Sequence, residues 1–218
     1  MIVVDRAGTR WTGTSGDWQR MKDQVRGVTG VHLPGFLHPA LLQEVRGLLA
    51  KTRFSEQRHS SIGVDECADA GPLSALMLLL LNDRTLIEQV EDLTGARIDG
   101  FQGRVYRMRA GAGHFDSWHS DARRGRRAAI SININEARVP TAPLQIRRSD
   151  ADSTLFEFAN AMPGDAVLFR LDDEHVHRVM PMAGAADRVA YAGWFYEGPG
   201  LAARLREEAH SSSTRSKT

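Results

Sequence analysis

Ala128-Ala129-Ile130-Ser131-Ile132-Asn133-Ile134-Asn135 alternates apolar and polar residues, the period-two pattern of a strand with one wet face. Ile130, Ile132 and Ile134 should face a core, and Ser131 and Asn133 should line something polar. The texture around this stretch is similar. From Arg97 onward short β-rich runs, among them Arg104 to Arg109, Ala166 to Phe169 and Arg188 to Phe195, are separated by clusters of Gly, Pro, Asp and Asn. That argues for a β-sandwich or barrel and against alternating βαβ units.

Ahead of residue 97 the periodicity is helical. Gly30-Val31-His32-Leu33-Pro34-Gly35-Phe36-Leu37 reads as a strand and turn, and Pro39 can open a helix because its missing N–H would be unpaired there anyway. Leu41, Leu42, Val45, Leu48 and Leu49 give that helix one apolar stripe, which should pack on a sheet. Pro72 to Leu81 is apolar nearly all round and is expected to be buried. A third helix from Arg84 to Leu93 should end at Gly95. The expected organisation is a single domain. Residues 1–96 supply a strand and helices packed on a β core over 97–200, and 201–218 form a helix end and a disordered Ser/Thr/Lys-rich tail.

A chain of 218 residues, 42% hydrophobic and 25% charged, suits one soluble globular domain. A formal net charge of +1 leaves no global footprint for nucleic acid, so no nucleic-acid partner is expected. Cys67, the single cysteine, precludes an intrachain disulfide and suits a reducing cytoplasm. Met1-Ile2-Val3-Val4-Asp5-Arg6 does not open like a secretory signal. The longest apolar run, Ala75 to Leu81, is far short of the roughly 20 residues that span a bilayer. A cytoplasmic protein with no membrane partner is expected.

The chemistry concentrates in His119-Ser120-Asp121, a distal His177, and Arg188 on an apolar strand. Two imidazoles and one carboxylate can occupy one face of an octahedral metal, leaving three positions for a chelating cosubstrate and dioxygen. That is the ligand set of a non-heme Fe(II) oxygenase. An arginine on an apolar strand needs an anion, and its planar fork could hold the far carboxylate of 2-oxoglutarate. Two other residue sets compete. His114-Phe115-Asp116 repeats the His-x-Asp spacing, but it follows the Gly111-Ala112-Gly113 turn, where loop chemistry is expected. His175 competes with His177, but it adjoins Asp172, Asp173 and Glu174, which suits an exposed loop. Arg123, Arg124, Arg126 and Arg127 read as a solvated face, or as a rim attracting a substrate carboxylate or phosphate.

With Tyr106 preceding the glycine turn, this arrangement resembles the Fe(II)/2-oxoglutarate-dependent dioxygenases, in particular the branch similar to prolyl 4-hydroxylases. The resemblance is strong over the C-terminal half and weak over the N-terminal helices. It departs at Thr141-Ala142-Pro143-Leu144, where the family often has Gly-Gly-x-Leu. It implies a mainly β fold with flanking α, a double-stranded β-helix (jelly roll) buttressed by the N-terminal helices. It also implies His119, Asp121 and His177 as the catalytic iron ligands, Arg188 as the cosubstrate clamp, and Tyr106 and Trp194 along the pocket. Asn133 joins them as a candidate cosubstrate contact by its place on the polar strand face. Fe(II), 2-oxoglutarate and O2 are the implied cofactors.

The implied reaction is hydroxylation of an unactivated C–H. Related halogenases carry Gly or Ala where Asp121 stands. The short chain points to a small-molecule, amino-acid or carrier-tethered substrate in biosynthetic tailoring. The alternatives are a prolyl-type peptidyl hydroxylase, a non-catalytic metal-binding jelly-roll module, and a zinc hydrolase using the same ligands.

Overall fold

The computed structural model describes residues 1–59, 63–123, 125–139, 143–181 and 186–198. The N-terminal part runs β1 (Ile2–Asp5), β2 (Gly8–Trp11), α1 (Ser15–Val28), β3 (Gly30–Leu33), α2 (Pro39–Leu49), β4 (Phe54–His59), β5 (Gly63–Ala68), α3 (Pro72–Leu81) and α4 (Arg84–Thr94). Among the described residues only strands follow: β6 (Gly100–Met108), β7 (Phe115–His119), β8 (Arg126–Asn133), β9 (Leu144–Arg148), β10 (Thr154–Phe158), β11 (Ala166–Arg170), β12 (His175–Val179) and β13 (Arg188–Tyr196). The fold is mainly antiparallel β with few helices, a nearly closed barrel-like sheet with a jelly-roll core, as expected. The tail expected over 201–218 lies outside the described residues. Among the described residues no helix is long and apolar enough to cross a membrane.

Local chemistry explains where the helices begin and end. Thr14 and Asp17 close a capping box on α1: the Thr14 hydroxyl accepts from the Asp17 N–H at 3.1 Å, and the Asp17 carboxylate accepts from the Thr14 N–H at 2.8 Å. Pro39 stands in the first turn of α2. Gly95 stops α4 in the left-handed region at φ 70. Asp92 fastens α1 to α4, accepting from Trp18 Nε1 and Lys22 Nζ, both at 2.5 Å.

The main sheet runs β10-β9-β12-β7-β5-β6-β13-β8-β11-β3, with β4 on β5. β5 joins the two halves. Glu66 and Cys67 pair with Arg107 and Tyr106 of β6, while Gly63 and Val64 pair with Asp116 and Phe115 of β7. Alternation then gives two cores. Ile130, Ile132, Tyr191 and Phe195 face outward to Leu41, Val45, Met77, Leu86 and Val90 of the helices. Ala129, Leu144, Ile146, Val167 and Phe169 pack inside the roll.

One helix departs from its pattern. α3 was expected to be buried all round, but it buries only Leu73, Met77, Leu80 and Leu81, and leaves Leu79 71% exposed. It lies on β6 and α2, and no described element covers its outer side, so its apolar composition exceeds its burial.

β6 and β13 approach backbone to backbone at Gly103 and Gly193, which are register partners. A Cβ on Gly193 would lie 2.2 Å from the Gln102 carbonyl oxygen and 2.7 Å from the Phe101 ring, which is itself fully buried. Gly193→Ala is therefore expected to cost about 1–3 kcal/mol through overpacking, measured as a lowered denaturant midpoint. An unchanged midpoint would mean that the strand pair can spread without strain.

Candidate functional site

His177 of β12 and His119 of β7 are antiparallel register partners, which places both imidazoles on the inner face of neighbouring strands. Their ring centres are 4.3 Å apart. Asp121 lies just past the end of β7 and turns back, so its Oδ2 is 3.7 Å from His119 Nε2 and 3.6 Å from His177 Nε2. The three donor atoms all lie within 4.8 Å of one another.

Neighbouring groups orient each donor. His119 Nδ1 is 2.7 Å from the Ser117 carbonyl oxygen, and a proton held there leaves the Nε2 lone pair facing the centre. Asp121 accepts from Trp194 Nε1 on Oδ2 at 2.7 Å and from an Arg126 guanidinium nitrogen on Oδ1 at 3.0 Å. Arg126 in turn stacks on the Trp194 ring, its central carbon 3.5 Å from the ring centre. Phe169 meets His177 edge-on at 5.0 Å.

The cluster is starved of positive charge. Burial disfavours the imidazolium of His119, but Asp121, Asp116 and the Ser117 carbonyl outweigh it and raise the group to about 9. Burial acts against the Asp121 carboxylate too, yet the two histidines hold it well below the usual carboxylate range. His177 is depressed, chiefly by burial. A carboxylate that stays ionised between two imidazoles is a natural place for a cation. The donor set, two imidazoles and one carboxylate on one side of a cavity, fits Fe(II) with open positions opposite.

The cavity holds about 310 Å3 and lies between β7 and β12 on one side and β6, β13 and β8 on the other. Arg188 lines it from β13. Arg188 donates to two neutral acceptors, Ser131 Oγ at 3.0 Å and Met108 Sδ at 3.6 Å. Desolvation, partly offset by Asp116, lowers the guanidinium to about 10. Asp116 offsets only part of that cost, and a ligand carboxylate at the fork would offset more. Tyr106 also lines the cavity, its phenol pushed up to about 12 by burial.

Of the sequence candidates, His119, Asp121, His177, Arg188, Tyr106 and Trp194 come together around this cavity. Asn133 does not. Its Nδ2 donates to the Asn160 carbonyl at 2.7 Å and its Oδ1 accepts from the Asn135 N–H at 2.9 Å, so the amide braces a loop. Asn160 and Ser131 line the cavity instead. Among the rival histidines, His114 is buried and accepts the Arg109 N–H at 3.1 Å, while His175 pairs with Asp172 at 2.7 Å. Trp194 has a second role beyond wall, as the donor to Asp121. Arg126 was missed, since it sits in the basic run that reads as a solvated face, whereas Arg127 does pair outward with Glu197 at 2.7 Å.

A jelly roll with two histidines and a carboxylate at one end of its cavity defines the class of non-heme metal oxygenases. The profile of the 2OG-Fe(II) oxygenase superfamily matches residues 101–196, the part of the chain that carries the whole triad and Arg188. The protein is accordingly a hydroxylase-type oxygenase that uses Fe(II), 2-oxoglutarate and O2. No curated protein sequence matches the chain at a significant level.

Solved structures share the fold. A Pseudomonas putida prolyl-4-hydroxylase aligns with TM-score 0.61 at 20% identity, covering 84% of this chain and 100% of its own. A Trichoplax adhaerens prolyl hydroxylase, solved with a hypoxia inducible factor peptide fragment, gives 0.62 at 19%, covering 85% and 94%. SnoN, the non-heme alpha ketoglutarate dependent epimerase of nogalamycin biosynthesis, gives 0.62 at 16%, covering 84% of each chain.

Trp194→Phe keeps a ring beneath Arg126 and deletes the donor to Asp121. Fe(II) affinity is expected to fall by about 10- to 100-fold, the usual cost of losing a group that orients a ligand. Anaerobic metal titration reads it, and an unaltered affinity would assign the indole N–H no part in holding the carboxylate.

Proposed function

We propose that the protein is a 2-oxoglutarate-dependent hydroxylase acting on an unactivated C–H of a small-molecule, amino-acid or carrier-tethered substrate, with His119, Asp121 and His177 as its iron ligands. The observation that carries this reading is Arg188: a cation on the cavity wall, opposite the triad, whose hydrogen-bond partners are a hydroxyl and a thioether. Bound Fe(II) supplies the oxidising chemistry, coupling decarboxylation of 2-oxoglutarate to succinate with insertion of one oxygen into the substrate. In this reading Arg188 grips the distal carboxylate of 2-oxoglutarate through its fork, and Ser131 keeps that fork aimed. Tyr106 closes the wall beside it. Trp194 and Arg126 fix Asp121 in direction. Phe169, Leu144 and Val179 keep water from the reacting centre.

The cavity volume is within the range of small-ligand sites, roughly 300–1,000 Å3, which supports a small substrate. The likeness to prolyl hydroxylases supports a second reading, hydroxylation of a peptide. A cytoplasmic setting belongs to the proposal, because ferrous iron and the single thiol of Cys67 both persist under reducing conditions.

His119→Ala, Asp121→Ala and His177→Ala are each expected to abolish iron-dependent 2-oxoglutarate turnover, while His114→Ala and His175→Ala retain metal binding. Iron lost from His114→Ala but kept by His119→Ala would reverse the choice between the two His-x-Asp elements. Arg188→Ala should raise the apparent 2-oxoglutarate constant at least about tenfold, since truncating one partner of a desolvated charge pair costs about 2–5 kcal/mol and about 1.4 kcal/mol makes a decade. Iron affinity should stay near that of the parent, and Arg188→Lys should recover only part of the loss. A 2-oxoglutarate constant unmoved by Arg188→Ala would sink the clamp assignment.

A further inference from the structure

A third arginine, Arg104, stands on the cavity wall beside Arg126 and Arg188 and has no part in holding the triad or 2-oxoglutarate. Arg104 of β6 and Ser131 of β8 both pair with Ala192, one from each side of β13. Two strand spacings separate their backbones, about 10 Å. Arg188 is anchored between Ser131 of β8 and Met108 of β6, and Arg104 stands four residues before Met108 on the same face of β6, a second cationic position along the wall.

The surroundings of Arg104 are unlike those of a structural arginine. Its neighbour Arg107, on the other face of β6, meets Glu66 at 2.5 Å. Arg104 shares a hydrogen bond with the Tyr106 side chain and feels the Asp65 carboxylate, but among the described residues it has no carboxylate at ion-pair distance, and its Nε is fully buried without a hydrogen-bond partner. The guanidinium carbon lies 4.8 Å from the centre of the Tyr106 ring. Its register partner on β13 is Ala192, and Ala190 faces Tyr106, so small side chains stand beside it on that wall. Arg147 and Arg170 also bury an unbonded Nε, but each pairs with a carboxylate, Asp152 and Asp172, whereas the guanidinium of Arg104 faces the cavity with room for one. Phe115, Leu144 and Val179 give the cavity an apolar stretch, while Asp65, Asp116 and Asn160 add polar groups to its wall.

We propose that Arg104 selects and orients the substrate by a carboxylate, and that the substrate is a small carboxylic acid with an aliphatic body, free amino acids included. The proposal rests on the 2-oxoglutarate reading of the site. The cosubstrate has two carboxylates, one used in chelation and the other by Arg188, so Arg104 is left for another molecule.

The test uses the full chain loaded anaerobically with Fe(II) and 2-oxoglutarate. The probes are L-leucine, N-acetyl-L-leucine and hexanoic acid, each beside its carboxamide, with binding read by calorimetry and by perturbation of the visible chelate band. At least one acid is expected to bind tenfold or more tighter than its amide. Arg104→Gln should erase that preference and Arg104→Lys should restore part of it, with thermal melts confirming that both variants fold. If N-acetyl-L-leucine shares the preference, carboxylate recognition needs no free ammonium; preference for L-leucine alone makes the substrate a free amino acid. Acid and amide bound equally by the parent chain, or a preference that survives Arg104→Gln, overturns the proposal. So does a shifted 2-oxoglutarate constant in Arg104→Gln, which would make Arg104 part of the cosubstrate clamp. Failure of the parent chain to form the chelate band at all strikes instead at the underlying reading of the metal site, and is seen before any probe is added.

Discussion

The antiparallel pairing of His177 with His119 sets two imidazoles side by side on the inner face of β12 and β7, and the rest of the site is arranged around that pair. Strand periodicity makes the arrangement sensitive to register, because a slip of either strand by one residue would send its ring to the outer face and part the pair. The outer face helps to hold it. Trp118, between Ser117 and His119, is covered by the guanidinium groups of Arg147 and Arg178 at 4.6 and 4.5 Å from its ring centre. On the far side of β12, Ile146 pairs with His177 and fills the interior next to it. His175 shares the face of His177 but pairs with Arg148 nearer the strand end, where Asp172 occupies its ring nitrogen.

Charge is distributed unevenly along the cavity. At one end a carboxylate faces two imidazoles and accepts from Trp194 and Arg126, an arrangement that favours a bound cation. At the other, Arg188 is desolvated against neutral partners and favours an anion. A dicarboxylate that chelates a metal through one end and meets an arginine through the other would relieve both at once. Neither end is well solvated by the protein alone, which gives a physical reason for the two ligands to reinforce one another.

Much of this was legible in the sequence where the signal is local. The alternation over Ala128 to Asn135, the start of α2 at Pro39 and the stop of α4 at Gly95 each depend on neighbouring residues, and each appears as read. The triad was legible because His119 and Asp121 stand two apart at a strand end. What could not be read depends on distant partners. Arg126 turns inward because Trp194, paired two strand positions from it on β13, offers a ring face and Asp121 a carboxylate. Asn133 is drawn from the cavity by the Asn160 carbonyl. The polar hairpin of β4 and β5 has no hydrophobic alternation, so nothing in Phe54 to His59 announces a strand, or that β5 would bridge β6 and β7. The start of α1 was readable in principle, since Thr14 and Asp17 have capping-box spacing.

β13 carries the division of labour within the fold. Arg188, Ala190, Ala192 and Trp194 face the cavity, and Tyr191 and Phe195 face the helices, both fully buried. Gly193 is the point of closest approach to β6, which brings Arg104 and Tyr106 to the same wall. Rigidity and chemistry are thus written on alternate residues of one strand. A change on the helix-facing set reaches the site only by shifting the backbone, and it must first disrupt a tightly packed core to do so. A change on the cavity set meets little packing resistance, since Ala190 and Ala192 leave space, and acts directly on what the cavity can hold. The cavity can therefore change its substrate without rebuilding the sheet that carries the triad.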